Sequence, residues 1–295
     1  MKKSIIVLSL ILIICTFVSS GIGLFYEDSG QSFEVESVHG EKVEMFGSGI
    51  YRTESMFKAP INKGTDAIIF VVIIPMFIFA LIYSIEGLLK AQIIHLICLT
   101  VFLYYSASVA FSVSYNRLFL VYIIQFSVCL CLFICQLKKV ASADYFDVRW
   151  DKTPQKGLIA FLIFGGLSVF VWLIEIIVSL KSGNPLTTLG MSTTEPTFVL
   201  DIGIIAPACF YTAYLIYHKK LEAYIYAVLL LSLNAVIGLI VISQTFFQYN
   251  YGVINSLHEY VIYVGIFAVM SVFALVLDVK VIKALKMSQA EEVMI

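Results

Sequence analysis

The chain contains eight runs of about twenty consecutive apolar residues, and this pattern limits the fold more than any other feature of the sequence. A run of that length crosses a bilayer as an α-helix, since a helix satisfies its own backbone hydrogen bonds where there is no water. The 295 residues are 60% hydrophobic and only 13% charged, a balance too apolar for a soluble protein. We therefore predict an all-α membrane protein, a bundle of eight transmembrane helices.

The first run, Ile5 to Leu24, follows two lysines and leaves two interpretations open. Its length is that of a spanning helix, which favours an uncleaved signal anchor. Val18-Ser19-Ser20, however, also provides a cleavage site of the kind that ends a signal peptide. Residues 1–25 are therefore either a signal anchor or first transmembrane helix, or a cleaved peptide that leaves a bundle of seven.

Residues 26–65 form the only long polar segment, which we expect on the extracytoplasmic side. The alternating pattern of Phe33–Glu36 and Val43–Met45 predicts a small β-hairpin. Because two strands alone are marginally stable in water, the hairpin should pack on the helix ends or on the following chain as far as Tyr51. A disordered acidic loop is the alternative. Capping residues in Asn62–Asp66 predict that the second helix begins at Ala67.

The other apolar runs predict the rest of the bundle, and residues 66–282 are expected to form a seven-helix transmembrane domain with 283–295 as a tail. A short interfacial helix is expected around Tyr145–Trp150, and Gly165-Gly166 should permit close helix contact. The predicted bounds of the seven helices are Ala67–Leu88, Ala91–Val113, Leu118–Leu137, Gly157–Leu180, Phe198–Tyr217, Leu221–Gln244 and Leu257–Leu277.

Orientation is predicted by the lysines and arginines. With a cytoplasmic N-terminus, 13 of the 19 lie in inner segments and 6 in outer ones, as the positive-inside rule requires. The prediction is a multi-pass protein of the inner (plasma) membrane, with a cytoplasmic C-terminus and lipid as its surroundings. The formal net charge of -1 argues against nucleic acid as a partner, because phosphate binding needs a basic face.

Polar residues within the apolar runs mark the place where a ligand could bind, because ionisable groups inside a membrane are costly. In the predicted orientation they gather in the outer half and predict an outward-facing vestibule. Asp201, one turn inside the sixth helix, is the most prominent of them. The candidate ligand-binding residues are Asp201, Glu175, Arg117, Tyr104, Ser108 and Asn234.

Each candidate also has a simpler explanation. Asp201 lies where the positive end of its helix favours a carboxylate, and Glu175 lies close enough to its helix end to reach the headgroups. Asn234 fits an interhelical hydrogen bond. Arg117 is most simply interfacial or paired with Asp66. Two nearby carboxylates in a medium of low dielectric constant need a positive partner or a proton, so we expect Arg117 or a bound cation to contact Asp201 or Glu175.

Known reaction chemistry finds no support in the sequence. The patterns HExxH, GxxxxGK[ST], GxSxG and GxGD are absent. We therefore assign no catalytic residue, no metal ligand and no cofactor, and the six cysteines fall within apolar runs, where we interpret them as small hydrophobic residues. The first hypothesis is a protein that binds or transports a small molecule or cation through the vestibule. The alternative is an accessory or sensory subunit that binds a protein partner with its extracytoplasmic segment, residues 26–65. An intramembrane enzyme is the third hypothesis.

Four segments carry a resemblance to known sequences: Gly47–Arg52, Lys63–Asp66, Tyr115–Leu120 and Thr193–Pro207. Together they resemble a family of bacterial multi-pass integral membrane proteins of unknown function, over about residues 47–220. The resemblance implies a bacterial inner membrane. It carries over no functional residue, since the family has no established activity.

The charge bias yields a topology prediction. A reporter fused after Lys139 or Lys220 should be cytoplasmic, and one inserted in the loop Lys181–Thr197 should be outside, because the inner segments around Lys139 and Lys220 each carry more lysine and arginine than the short outer loops beside them. Labelling of a cysteine introduced at Ser192 with a membrane-impermeant maleimide measures the same property. Labelling from the cytoplasmic side alone would reverse the orientation.

Overall fold

The computed structural model describes residues 3–141, 146–148, 153–186, 188–254 and 256–287. Within these residues, eight helical stretches are long and apolar enough to cross a membrane, and a small two-stranded sheet lies between the first two, which confirms the predicted fold class. The helices are α1 Lys3–Phe25, α2 Lys58–Ile68, α3 Ile74–Ile85, α4 Leu89–Ser112, α5 Phe119–Ala141, α6 Gln155–Ser168, α7 Val171–Ser182, α8 Pro196–Leu200, α9 Ala206–Tyr217, α10 Ala223–Asn250 and α11 Leu257–Ala284; the strands are β1 Phe33–Glu36, β2 Lys42–Met45, β3 Phe146–Val148 and β4 Leu285–Met287.

Some predicted boundaries and one predicted element were wrong. The second span begins at Lys58, nine residues before Ala67, because Pro60 lies in the first turn of the helix, where a missing N–H costs nothing. The last span continues to Ala284 instead of ending at Leu277. At residues 146–148 the chain is a strand paired with β4, where an interfacial helix was expected; Tyr145, Arg149 and Trp150 lie outside the described residues.

Two spans contain a π-helical turn, and each turn precedes a proline. Ile69–Ile73 joins α2 to α3 before Pro75, and Asp201–Ile205 joins α8 to α9 before Pro207. A proline ring collides with the carbonyl four residues earlier, which here belongs to Val71 or Gly203, and a wider turn relieves that collision. Both spans can therefore carry a proline without breaking.

Helix α1 packs against α5 and α2 with one face, while its other face is exposed. Its buried face consists mainly of small and hydroxyl-bearing residues, which allow close approach between helices. At Gly23 the approach is closest, since a Cβ there would overlap the carboxylate of Asp66. The buried residues are Ile5, Ser9, Leu12, Thr16, Ser19, Ser20 and Gly23.

The hairpin forms as predicted, with Phe33 opposite Met45 and Glu36 opposite Lys42. The chain then folds back along β2. The N–H of Phe46 donates to the carbonyl of Glu54, and the N–H of Met56 donates to that of Glu44. We call residues 26–57 the outer segment, and the end of the bundle that carries it the hairpin side; the other end is the tail side.

Two apolar cores fill the bundle, and α4 contributes to both. The core on the hairpin side lies between α1, α3, α4 and α5, and includes Phe77, Phe102 and Leu132. The core on the tail side lies between α4, α6, α9 and α10, and includes Leu96 and Leu231. Of the eight described spans, α4 is also the most buried, and it is the central element of the structure.

Helix α2 meets α10 at a glycine. A Cβ on Gly64 would overlap the backbone of Gln244, and the Gln244 amide donates to the Thr65 hydroxyl at 2.8 Å beside this contact. At Gly166 a Cβ would come within 2.8 Å of the Phe210 ring on α9, while Gly165 has open space around it. Of the predicted glycine pair, Gly166 is thus the one in close contact.

Replacing Gly64 with alanine should destabilise the protein. The added methyl group must push α2 away from α10, and overpacking of this kind costs about 1–3 kcal/mol. The matched control is Gly203→Ala, since nothing lies within 4 Å of a Cβ at Gly203. Thermal unfolding in detergent should show a lower midpoint for Gly64→Ala only, and equal midpoints for both variants would contradict the close packing.

Candidate ligand site

Asp201 is the centre of a hydrogen-bonded group between three spans. Its Oδ1 accepts a hydrogen bond from the Tyr104 hydroxyl at 2.9 Å, and its Oδ2 accepts one from the Trp172 indole N–H at 3.0 Å. Tyr104 comes from α4 and Trp172 from α7, so one carboxylate joins three helices. Two predicted residues, Asp201 and Tyr104, are therefore in direct contact, and Trp172 completes the group.

Local structure holds these side chains in position. Asp201 is the first residue of a π-helical turn, where the changed helical phase alters the direction of each side chain, and such turns are frequent at functional sites. Trp172 stacks on Phe198 of α8, with ring centroids 4.7 Å apart and planes inclined by 13°. The indole is thus fixed between the ring of one residue and the carboxylate of another.

A cavity of about 440 Å³ lies next to Tyr104, which donates to Asp201, although Asp201 itself does not line it. It lies between α4, α5, α9 and α10, and Tyr104 and Leu200 form part of its wall. The rest of the wall is mostly leucine, isoleucine and phenylalanine, with the side chains of Thr100, Tyr211, Thr212 and Tyr226 as further polar members. A ligand here would be surrounded by apolar groups and would meet polar groups at few positions, as ligand cavities in proteins generally provide.

The other candidates do not join this group. Ser108 donates to the carbonyl of Tyr104 within its own helix, and Glu175 is half-buried on α7. Asn234 is half-buried on α10, and Arg117 is exposed in the turn before α5. Neither Glu175 nor Asn234 makes a side-chain hydrogen bond to any described residue, and none of these four residues lines the cavity.

We predicted that Arg117 or a bound cation would contact Asp201 or Glu175, and the part of this prediction that concerns Arg117 was wrong. Among the residues that the structure describes, neither Asp201 nor Glu175 forms an ion pair. Both donors to Asp201 are neutral. The carboxylate therefore lies in an apolar environment with its hydrogen bonds satisfied and its charge unmatched by any described side chain, a costly arrangement in a membrane.

A second acid, Asp66, was expected to be interfacial or to pair with Arg117, and this was also wrong. Asp66 is fully buried and accepts hydrogen bonds from the hydroxyls of Tyr51 and Tyr105, each at 2.6 Å. Tyr51 belongs to the outer segment, and its side chain is only 1% exposed. The contact therefore fixes the outer segment to the centre of the bundle.

Buried polar residues also lie on the tail side, where the sequence analysis expected few. His95 stacks on Phe77 and contacts the Ser9 hydroxyl at 3.4 Å. Asp278, one residue beyond the predicted end of the last helix, is buried in α11 and accepts a hydrogen bond from Ser232 at 2.6 Å. The polar residues inside the bundle are therefore distributed over both halves.

Several charged side chains at the hairpin side are largely buried. Lys58 forms an ion pair with Glu195 at 2.9 Å, which ties the start of α2 to the loop before α8. Glu54 accepts a hydrogen bond from the backbone N–H of Ser114. Burial raises the pKa of the Glu54 carboxyl above its usual value, and the hydrogen bond from Ser114 partly opposes this rise.

Metal-ligating residues do not converge anywhere in the described parts of the chain: no three His, Cys, Asp or Glu side chains are grouped closely enough to hold an ion. The cysteines of α5 point to different surroundings, with Cys129 buried and Cys131 and Cys135 exposed on the helix surface. The site around Asp201 can therefore hold a ligand through hydrogen bonds and through the carboxylate of Asp201.

We compared the chain with known protein families, curated proteins and solved structures. No protein family, curated protein or solved structure was found that matches the chain. The protein is a multi-pass membrane protein. Its bacterial family and its membrane stay predictions.

Replacing Asp201 with alanine should destabilise the protein more than replacing Glu175. The first change leaves the Tyr104 hydroxyl and the Trp172 N–H without their acceptor, at a cost of about 1–3 kcal/mol, whereas Glu175 has no described polar partner to lose. Thermal unfolding midpoints of the two variants in the same detergent measure the difference. An equal or greater loss in Glu175→Ala would show that the Asp201 contacts contribute little.

Proposed function

We propose that this membrane protein binds a small amphipathic cation, with the apolar part of the ligand in the cavity and its positive end near Asp201. The observation that carries the proposal is a half-buried carboxylate that is held by two neutral donors and paired with no described cation, while one of those donors, Tyr104, lines an apolar cavity. An unmatched charge at that depth favours a cationic ligand, because the ligand would remove the electrostatic cost. Tyr104 connects the two parts, since it bonds to Asp201 and lines the cavity.

The cavity supports an amphipathic ligand over a hydrated metal ion. Its wall is largely apolar, and a bare or hydrated ion would find few oxygen ligands there. An alkyl chain would replace empty space with dispersion contacts along α4, α5 and α9. The remaining lone pairs of Asp201 are then available to an ammonium or amidinium group.

Binding of a long-chain alkylamine, compared with the alcohol of the same chain length, tests the proposal. We expect the wild-type protein in nanodiscs to bind the amine at least about tenfold more tightly than the alcohol, because a hydrogen bond to a charged group is worth about 1.5–3 kcal/mol. Asp201→Asn should abolish this preference. Isothermal titration calorimetry measures both affinities.

Two controls make this test specific. Glu36→Gln removes the same charge from the exposed hairpin and should leave the amine preference unchanged. Tyr104→Phe keeps the carboxylate and removes one of its donors, and we expect it to retain binding of the amine. If the amine and the alcohol bind the wild type equally, or if Asp201→Asn binds the amine as the wild type does, the proposal is wrong.

An accessory or sensory role, in which the outer segment binds a protein partner, is the second candidate. The exposed hairpin and the buried anchor Tyr51 favour it, since a partner that pulls on the hairpin would act on a segment tied to Asp66. Complementation of a strain that lacks the protein separates the two roles. If Glu175→Gln and Asp201→Asn restore growth fully while deletion of residues 33–45 does not, the accessory role is favoured and the ligand site is rejected.

A further inference from the structure

Asp66, on α2, is sealed by three neighbouring elements: α4, the outer segment and α1. Its two oxygens accept hydrogen bonds from Tyr105 of α4 and Tyr51 of the outer segment, and it is 0% exposed. Helix α1 closes the remaining side, because any side chain larger than that of Gly23 would overlap the carboxylate. Direct contact with water or lipid is therefore prevented, and the state of this acid depends on its neighbours.

A line of buried polar groups continues inward from Tyr105. The Ser19 hydroxyl lies beside the Tyr105 hydroxyl and donates to Oε1 of Gln125 at 2.7 Å. Two atoms at the end of this line are buried and have no hydrogen-bond partner, namely Nε2 of Gln125 and Oγ1 of Thr16. Such unpaired atoms are costly, and they indicate space for a rearrangement or for a water molecule.

We propose that Asp66 is a proton-binding site with two complete hydrogen-bond arrangements. In the charged state, Tyr51 and Tyr105 both donate to the carboxylate, as the structure has them. When one proton from water binds to Oδ1, the new O–H donates to the Tyr105 oxygen and Tyr105 turns its own proton to Ser19. Ser19 keeps donating to Gln125, so the bond that Tyr105 gives up to Asp66 is replaced by one in the opposite direction.

The other titratable or charged groups facing Asp66 are compatible with both states. Lys63, one turn earlier on α2, is 2% exposed and donates to the carbonyl of Leu24 at 3.2 Å, and it contacts Glu27 at 3.4 Å. Glu27 is 63% exposed, so this pair links the buried cluster to water on the hairpin side. Lys63 thus balances the charged form of Asp66 and keeps Glu27 as a partner when Asp66 is neutral.

The remaining neighbours add no competing charge at contact distance. Helix α5 contributes the Tyr122 hydroxyl, which accepts a long hydrogen bond from Asn116, and Glu54 lies beyond it. From α1 the described residues at the site are Ser19 and Gly23, and α10 contributes the amide of Gln244 to Thr65. The proton therefore has one carboxylate to bind, with Tyr105 and Ser19 as positioning residues.

Infrared difference spectroscopy of the full chain in nanodiscs tests the assignment. Between alkaline and acidic buffer, we expect a carbonyl band of a buried protonated carboxyl that shifts in deuterium oxide. The band should be absent from Asp66→Asn and present in Asp201→Asn, which removes the acid that bonds to the other tyrosine of α4. If wild type and Asp66→Asn give the same difference spectrum, Asp66 holds one state and acts as a fixed anchor only.

A second pair of variants tests the proposed rearrangement of hydrogen bonds between Asp66, Tyr105 and Ser19. Ser19→Ala removes the group to which Tyr105 donates when Asp66 is neutral. Neutral Asp66 then loses the support of one hydrogen bond, and the equilibrium constant for protonation of Asp66 should fall about fivefold. Ser20→Ala is the control, since Ser20 donates to the carbonyl of Thr16 within α1. Equal spectra for the two variants would contradict the rearrangement through Tyr105 and Ser19. This comparison also decides the proposal if Asp66→Asn does not fold.

Discussion

Two adjacent tyrosines on α4, each donating to a carboxylate on a different helix, hold the hairpin side of the bundle together. Tyr104 bonds to Asp201 and Tyr105 bonds to Asp66. Consecutive residues on a helix point about 100° apart, so one turn of α4 can serve two neighbours in different directions. Because acids are costly inside a membrane, a helix that moves away from α4 is destabilised by the loss of one of the two donors to its carboxylate.

The two acids reach α4 by the same structural means. Each lies in or just before a π-helical turn that precedes a proline, in one case Pro75 and in the other Pro207. Without the wider turn, the helical phase of the residues around it would differ by part of a turn, and the acid would face another neighbour. The environments nevertheless differ, since Asp66 is sealed and bonded to the outer segment, whereas Asp201 is half-buried and bonds to a tyrosine that lines a cavity.

Much of the architecture could be predicted because it depends on local patterns. Runs of apolar residues predicted eight spanning helices, and the alternation around Phe33 and Val43 predicted the hairpin. Boundaries failed where a local signal was ambiguous: Asn62–Asp66 has the composition of a helix cap but lies inside α2, after Pro60. At the candidate site, Asp201 and Tyr104 were both on the list of candidates, and they are in contact. Trp172 was missed because nothing in an apolar run distinguishes an indole that bonds to an acid from one at the interface.

The sequence by itself determined which segments cross the membrane, where the hairpin forms and which side chains are too polar to face lipid, because each of these follows from the composition and period of a short stretch. Only the tertiary structure decided which of those polar groups meet. The Asp66 carboxylate pairs with Tyr51 and Tyr105 instead of Arg117, since the pairing depends on how α1, α2 and α4 are rotated and on the room that Gly23 leaves. Helix rotation is set by packing between residues far apart in the chain, and such contacts leave no periodic signal in the sequence.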